Sequence, residues 1–247
     1  MLEKMEGIIL KTQDFKETHK IVTIFSKRIG KFSAIARGAK KPKSRMAAVT
    51  QPFIYGDFLV YLGTGLGTVQ QGEIQYSFRA IREDIFKTAY TAYITELTDK
   101  ILDEKKPNNV LFNELYQTMQ WIAEHEDVDI PIMMYELKLF ELGGFGPVLD
   151  GCANCSSNQF PFFFSIQEGG LLCTNCMGLD QNAISLPNKL AKLLHLFINI
   201  RLERVGNISV KKENKLLLRN ILDAYYDTYG GYYLKSKRFL QQMKRLN

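Results

Sequence analysis

Acidic residues are missing from the whole stretch between Thr18 and Gly56, which carries nine Lys or Arg. A surface built from that stretch cannot compensate its own charge, and the imbalance favours a polyanionic partner. Across residues 1–80, 13 Lys and Arg stand against 6 Asp and Glu, a net of +7, whereas the other 167 residues carry 19 against 20. The overall charge of +6 therefore belongs to the first third of the chain.

Long apolar runs are also missing. None reaches the length of a membrane span, and the opening Met1-Leu2-Glu3-Lys4-Met5-Glu6 has no apolar signal run. These absences predict a soluble protein of the reducing cytoplasm with no membrane partner. Its 247 residues, 46% hydrophobic, suffice for a core in one large or two small domains. There is no internal repeat and no long flexible linker.

Catalytic signatures are missing too: no Gly-x-Ser-x-Gly, no His-Glu-x-x-His and no phosphate-binding loop. Gly63-Thr64-Gly65-Leu66-Gly67 lacks the Gly-Lys-Ser/Thr that a phosphate loop needs and is followed by a strand, so it reads as a hairpin turn. The three histidines, His19, His125 and His195, are isolated, and His195 is expected to be a hydrogen-bonded core residue of an apolar helix. Together these absences favour a binding protein over an enzyme.

Cysteine is scarce and confined. All four lie in Cys152-x-x-Cys155, seventeen intervening residues, and Cys173-x-x-Cys176. That spacing is that of a structural zinc site, with a hairpin of Phe162, Phe163 and Phe164, a turn at Glu168-Gly169-Gly170 and a return through Leu171 and Leu172. Two disulfides are the alternative, but they require an oxidising compartment. Four thiolates fill a tetrahedron and leave no position for substrate, so one zinc ion here is structural. The site's formal charge of minus two would repel phosphate, so nucleic-acid contacts must come from elsewhere. Phe160, Phe162, Phe163 and Phe164 are either packed on the adjacent domain or form a docking patch.

Residues 1–80 read as a small β-domain. Candidate strands are Glu6–Lys11, Lys20–Ser26, Lys31–Arg37, Phe53–Leu62 and Thr68–Ile74, enough for a closed five-stranded barrel of the OB-fold kind. In the fourth, Ile54, Phe58, Val60 and Leu62 share the expected core face. Phe53, Tyr55, Asp57 and Tyr61 share the other, where the aromatics would stack bases or pack internally. Between the third and fourth strands, Arg37-Gly38-Ala39-Lys40-Lys41-Pro42-Lys43-Ser44-Arg45 puts five cations in nine residues. It is expected to be a mobile, phosphate-attracting loop rather than a merely solvated charge run.

After Ser77 the period becomes helical. Phe86, Ala89, Tyr93, Leu97 and Ile101 mark a helix from Asp84 to Asp103; others are expected from Val110 to Glu124, from Pro131 to Leu142, from Pro187 through Ile200, and after a Ser209 cap. The acidic Glu124-His125-Glu126-Asp127 with Asp129 reads as a solvated loop rather than a cation site. Lys235, Lys237, Arg238, Lys244 and Arg245, between Leu234 and Leu246, form a secondary basic surface. The predicted class is α+β: an OB-fold barrel over 1–80, then an all-α domain over 81–247 with a four-cysteine zinc ribbon inserted at about 150–180.

The segments Glu6-Gly7-Ile8-Ile9-Leu10-Lys11, Gly30-Lys31-Phe32 to Arg45, the cysteine pairs and Leu234-Lys235-Ser236-Lys237-Arg238-Phe239-Leu240 make the chain resemble the RecO family of bacterial recombination mediators. The resemblance spans essentially the whole chain. Some members lack the cysteines, which fits a structural zinc. It implies binding of single- and double-stranded DNA, annealing of complementary strands, association with RecR, and action on DNA coated by single-stranded-DNA-binding protein so that RecA can load. It also implies a cytoplasmic, nucleoid-associated protein. Lys31, Arg37, Lys40, Lys41, Lys43 and Arg45 become the DNA-contact candidates, and Cys152, Cys155, Cys173 and Cys176 the metal ligands. Two other functions compete: a zinc-containing RNA-modifying enzyme and a protein-only adaptor.

Overall fold

The computed structural model describes residues 1–206 and 209–245. Leu246 and the side chains of Lys244 and Arg245, part of the expected C-terminal basic surface, lie outside the described residues. The chain forms two compact units, Met1–Glu126 with Leu234–Asn247, and Asp127–Tyr233.

The first unit is built on a closed barrel of five strands: β1 (Leu2–Phe15), β2 (His19–Ser26), β3 (Gly30–Ala36), β4 (Tyr55–Tyr61) and β5 (Gly67–Tyr76), in the order β1-β2-β3-β5-β4. All neighbours are antiparallel except β3 and β5, which close the barrel in parallel through Ala34–Ala36 and Gly67–Val69. β1 serves both sides, pairing with β4 through Leu2–Ile8 and with β2 through Gly7–Phe15, with a register shift between Ile9 and Lys11 where it bends. The period-two pattern is kept: Ile54, Phe58 and Val60 join Met5, Ile9, Val22, Ile24, Phe32, Ala34, Ala36 and Val69 inside, with Leu62 packed against them. Each large apolar side chain fully buried there contributes about 1.5–3 kcal/mol.

The other face of β4 is used internally as well. Phe53 is buried just before the strand, and Tyr55 donates to Glu6 Oε1 at 2.5 Å while its ring packs on Phe112 and Tyr116. Only Tyr61, 55% exposed, remains free for a ligand among the three aromatics expected on that face.

Strand gives way to helix between Tyr76 and Arg79, where α2 (Arg79–Glu83) follows the short α1 (Arg45–Val49) of the barrel. α3 (Ile85–Ile101) starts where Asp84 accepts from the Phe86 and Lys87 amides at 2.8 and 2.9 Å. It buries Ala89, Tyr93 and Leu97 as expected, but also Thr91, Thr95 and Thr98, whose hydroxyls donate to carbonyls four residues back. α4 (Asn109–Glu124) is capped by Asn108. The connection from α3 to α4 runs against β3: the Lys105 amide donates to Lys31 O, and a Cβ on Gly30, at φ +85, would lie 2.3 Å from Lys106 O. α8 (Lys235–Arg245) is capped by Glu96 of α3, which accepts from the Ser236 amide at 2.8 Å and from its hydroxyl. Lys235 and Arg238 face solvent, while Lys237 is buried rather than part of the basic surface expected there.

In the second unit α5 (Asp129–Leu142) is buried almost all round, from Ile130 to Leu137 and at Leu139 and Phe140. α6 (Asn188–Asn199) and α7 (Lys212–Tyr229) pack against it. Glu136, wholly buried, pairs with Arg219 at 2.5 Å. Two expectations are corrected here. α7 starts at Lys212 after Lys211, with no side-chain cap, so Ser209 is not its cap. His195 is exposed, because the buried positions of α6 are Leu190, Ala191, Leu194 and Phe197, and residue 195 falls on the opposite face. The acidic turn is solvated as expected and leans on Lys215, 2.5 Å from Asp127 and 3.9 Å from Asp129.

The expected hairpin is β6 (Phe162–Ser165) and β7 (Gly170–Cys173), joined by an unforeseen third strand, β8 (Ile184–Leu186), in the order β7-β6-β8. Phe164 is buried against Tyr225 of α7, and Tyr229 donates to the Ile166 and Gln167 carbonyls at 2.7 and 2.9 Å, docking the sheet on that helix. The architecture is thus α+β, an OB-fold barrel followed by helices and a four-cysteine ribbon.

Removing one partner of the buried pair in the second unit should strand the other's charge. Arg219→Met is expected to lower the unfolding free energy by about 3–5 kcal/mol, and the double change Glu136→Leu with Arg219→Met to recover most of that, measured by urea unfolding.

Candidate nucleic-acid interface and metal site

The acid-free stretch becomes a defined surface at the end of the β2–β3 hairpin. The last paired residues of that ladder are Lys20 and Ala36, after which the chain turns through residues 37–44 and enters α1. Arg37, Lys40, Lys41, Lys43 and Arg45 are all exposed. Ala39 lies between them, 2% exposed and packed in the barrel core. An alanine suits that place, since its methyl can be buried without drawing a charge inward.

The turn is held by its backbone. The Gly38 amide donates to His19 Nδ1 at 3.1 Å, and the Lys40 amide donates to Thr18 O at 3.0 Å. Within the loop the Lys41 amide donates to Gly38 O and the Ser44 amide to Lys41 O. The expected loop thus takes a hydrogen-bonded turn, with its glycine at φ +69, its alanine buried in the barrel core and its cations exposed.

Among the described residues, Arg37, Lys41, Lys43 and Arg45 take part in no ion pair. Lys40 lies 2.8 Å from Asp14 Oδ2, and its hydrogen bond holds that carboxyl below the ordinary carboxylate range. Lys31 stands apart: its side chain is 12% exposed, and its ammonium donates to Asp99 O and lies 3.5 Å from Asp99 Oδ1. Lys11 reaches the same carboxylate at 2.8 Å. Charge counting alone could not separate Lys31 from the other five; the signal was its place inside a strand rather than in the loop.

In the second unit the two cysteine pairs converge. The four Sγ atoms lie within 4.8 Å of one another, with Cys155 and Cys173 at 3.6 Å. Sulfurs bound tetrahedrally at ~2.3 Å from one ion sit about 3.8 Å apart, whereas a disulfide brings them to ~2.05 Å. Cys152, Cys173 and Cys176 are buried and Cys155 is exposed. Each pair sits on a tight turn, closed by the Ser156 amide donating to Cys152 O and the Cys176 amide to Cys173 O. Asn154 Nδ2 donates to Cys176 Sγ at 3.3 Å. Burial of Ser165 against Asp180, at 2.6 Å, holds the hairpin beneath the turns.

The chemistry of these thiols fits a divalent cation. Burial raises Cys152, but backbone hydrogen bonds at Cys173, Cys155 and Asn154 draw it down to about 6. A backbone hydrogen bond at Ser157 lowers Cys155, yet the three surrounding sulfurs push it up to about 12. One thiolate is thus easily formed and further ones repel it, a conflict that a cation among the sulfurs would resolve.

The neighbouring aromatics divide. Phe162 and Phe164 are buried, Phe163 is half-buried, and Phe160 is 39% exposed with Lys192 Nζ 5.1 Å over its ring. Packing therefore accounts for most of the Phe-rich run. Among the described residues no helix is long and apolar enough to cross a membrane.

Comparison with known proteins agrees with these features. The family model described as Recombination protein O N terminal matches residues 1–78, and that described as Recombination protein O C terminal matches residues 82–238. A protein of Oceanobacillus iheyensis called DNA repair protein RecO is 57% identical over 243 residues, spanning 98% of this chain and 94% of its own. Proteins of the same description from Bacillus pumilus and Bacillus cereus (strain AH187) are each 48% identical, over 246 and 245 residues, spanning 100% and 99% of this chain and 96% and 99% of their own.

The cysteine geometry makes a direct prediction. Titration with Co²⁺ should saturate at one equivalent with the absorption of tetrahedral thiolate coordination, and Cys155→Ser should weaken binding while Ser156→Ala leaves it unchanged.

Proposed function

Since the chain belongs to the recombination protein O family of bacterial DNA repair proteins, we propose that it is a non-enzymatic mediator of homologous recombination that binds single- and double-stranded DNA and anneals complementary strands. With RecR it would act on DNA coated by single-stranded-DNA-binding protein and so help RecA to load. Residues 1–80 serve as the nucleic-acid-binding domain and residues 81–247 as the helical domain with its ribbon. Cysteines 152, 155, 173 and 176 hold one structural zinc ion, and the protein works in the cytoplasm, at the nucleoid.

The observation that carries the reading is the array of five exposed cations on a turn whose backbone is already fixed. Two DNA strands repel each other. A protein that offers phosphate-binding charge to both lets their bases find register, and pairing itself releases the free energy, so no nucleotide hydrolysis is needed. Fixing the turn beforehand lowers the ordering cost of each phosphate contact. Arg37, Lys40, Lys41, Lys43 and Arg45 make the principal DNA contacts. Lys31 has the smallest part, since Asp99 already engages its ammonium. Tyr61, exposed on β4, supplies a stacking surface of the kind worth about 1–3 kcal/mol per base. The ribbon's thiolates stay with the metal, where their negative charge would otherwise repel the backbone.

Binding of a labelled single strand across a salt series tests this. The triple change Lys40→Gln, Lys41→Gln and Lys43→Gln should weaken binding and lower the log-log salt slope by about 2, from a wild-type value of roughly 3 to 4. An unchanged slope in the folded variant would place DNA contact elsewhere. Loss of partner-protein binding alone would favour a protein-only adaptor.

A further inference from the structure

We propose that His19 is a positioning residue for the DNA-contact turn: its Nδ1 accepts the Gly38 amide and so fixes the direction in which Arg37 and the cations after it face. The proposal rests on the reading of that turn as the DNA contact.

The hydrogen bond determines the state of the ring. A backbone amide can only donate, so the Nδ1 that lies 3.1 Å from Gly38 N carries no proton. Thr18 Oγ1 lies 3.1 Å from the same nitrogen. With the ring hydrogen on Nε2, the Nδ1 lone pair is left for the Gly38 amide.

The bond sits where the ladder ends. Lys20 and Ala36 are the last pair between β2 and β3, and the next residues on one side, His19 and Thr18, take up the amides of Gly38 and Lys40 on the other. Between those amides the Ala39 side chain turns inward to the barrel core. Three successive residues are thus fixed by side chain, core and carbonyl in turn. The imidazole can be changed without altering the loop's own sequence or charge and without disturbing the barrel core.

The need for a hold follows from the charges. Arg37, Lys41, Lys43 and Arg45 have no ion-pair partner among the described residues, and their mutual repulsion favours an unrolled chain. An unrolled chain keeps the same cations but must be ordered when DNA binds. His19 should therefore act on affinity at every salt concentration and leave the salt slope alone, whereas a lost cation changes the slope.

The test compares His19→Ala, His19→Asn and His19→Gln with the wild type and the Lys40/Lys41/Lys43 triple variant, in single-strand binding over a salt series and in amide exchange at Gly38. Asn places its Oδ1 one bond from Cγ, where Nδ1 stands, and can accept the same amide; the Gln carbonyl lies one bond further out. Ala and Gln are expected to weaken binding about fivefold with an unchanged slope, and to speed exchange at Gly38, while Asn restores both. Wild-type affinity and slow Gly38 exchange in His19→Ala would overturn the proposal, as would rescue by Gln equal to that by Asn. If the triple variant binds like the wild type, the DNA reading of the turn has failed; the exchange measurement still decides whether His19 holds it.

Discussion

Like charges crowded into nine residues push apart, and the first unit is arranged around holding them together. Apart from the ion pair between Lys40 and Asp14, the hold is uncharged. Ala39 is buried in the barrel, Gly38 supplies the left-handed backbone, and the amides on either side of Ala39 are taken by His19 and Thr18 from the neighbouring hairpin. A closed barrel is what makes this possible, because only a complete core offers a socket for the alanine. The parallel closure of β3 on β5 at Ala34–Ala36 lies immediately before the turn and fixes where it starts.

The second unit solves a comparable problem with sulfur. Four thiols packed within 4.8 Å cannot all ionise against one another, yet the turns that carry them are closed by backbone bonds and docked on α7 through Phe164 and Tyr229. Thiolate charge so concentrated suits a cation and disfavours phosphate. The two clusters of chemistry in the chain are therefore of opposite sign, and the proposed division of labour between DNA contact and structural metal rests on electrostatics rather than on sequence position.

Much of this was legible in the residues. Alternation in Ile54, Phe58, Val60 and Leu62 marked a core face, the cysteine spacing marked a thiol cluster able to hold a metal ion, and the acid-free stretch marked the basic turn. Other parts depended on contacts that local pattern does not carry. Glu96 caps a helix 140 residues later, and nothing near Ser236 announces it. β8 is three residues long and exists through its pairing with β6. The hydrogen bonds of the turn are not legible locally, because the partners of its amides are the His19 ring and the Thr18 carbonyl. Lys31 looked like its neighbours until Asp99 of α3 was found beside it. The apolar composition of α6 hides that residue 195 lies off its buried positions Leu190, Ala191, Leu194 and Phe197.

Annealing without nucleotide hydrolysis is the central claim, and the most direct measurement is the pairing of two complementary labelled oligonucleotides, bare and coated with single-stranded-DNA-binding protein, with no nucleotide present. The wild-type protein should accelerate pairing of both substrates, and rising salt should suppress the acceleration. A wild-type protein that neither binds nor pairs either substrate would contradict that claim.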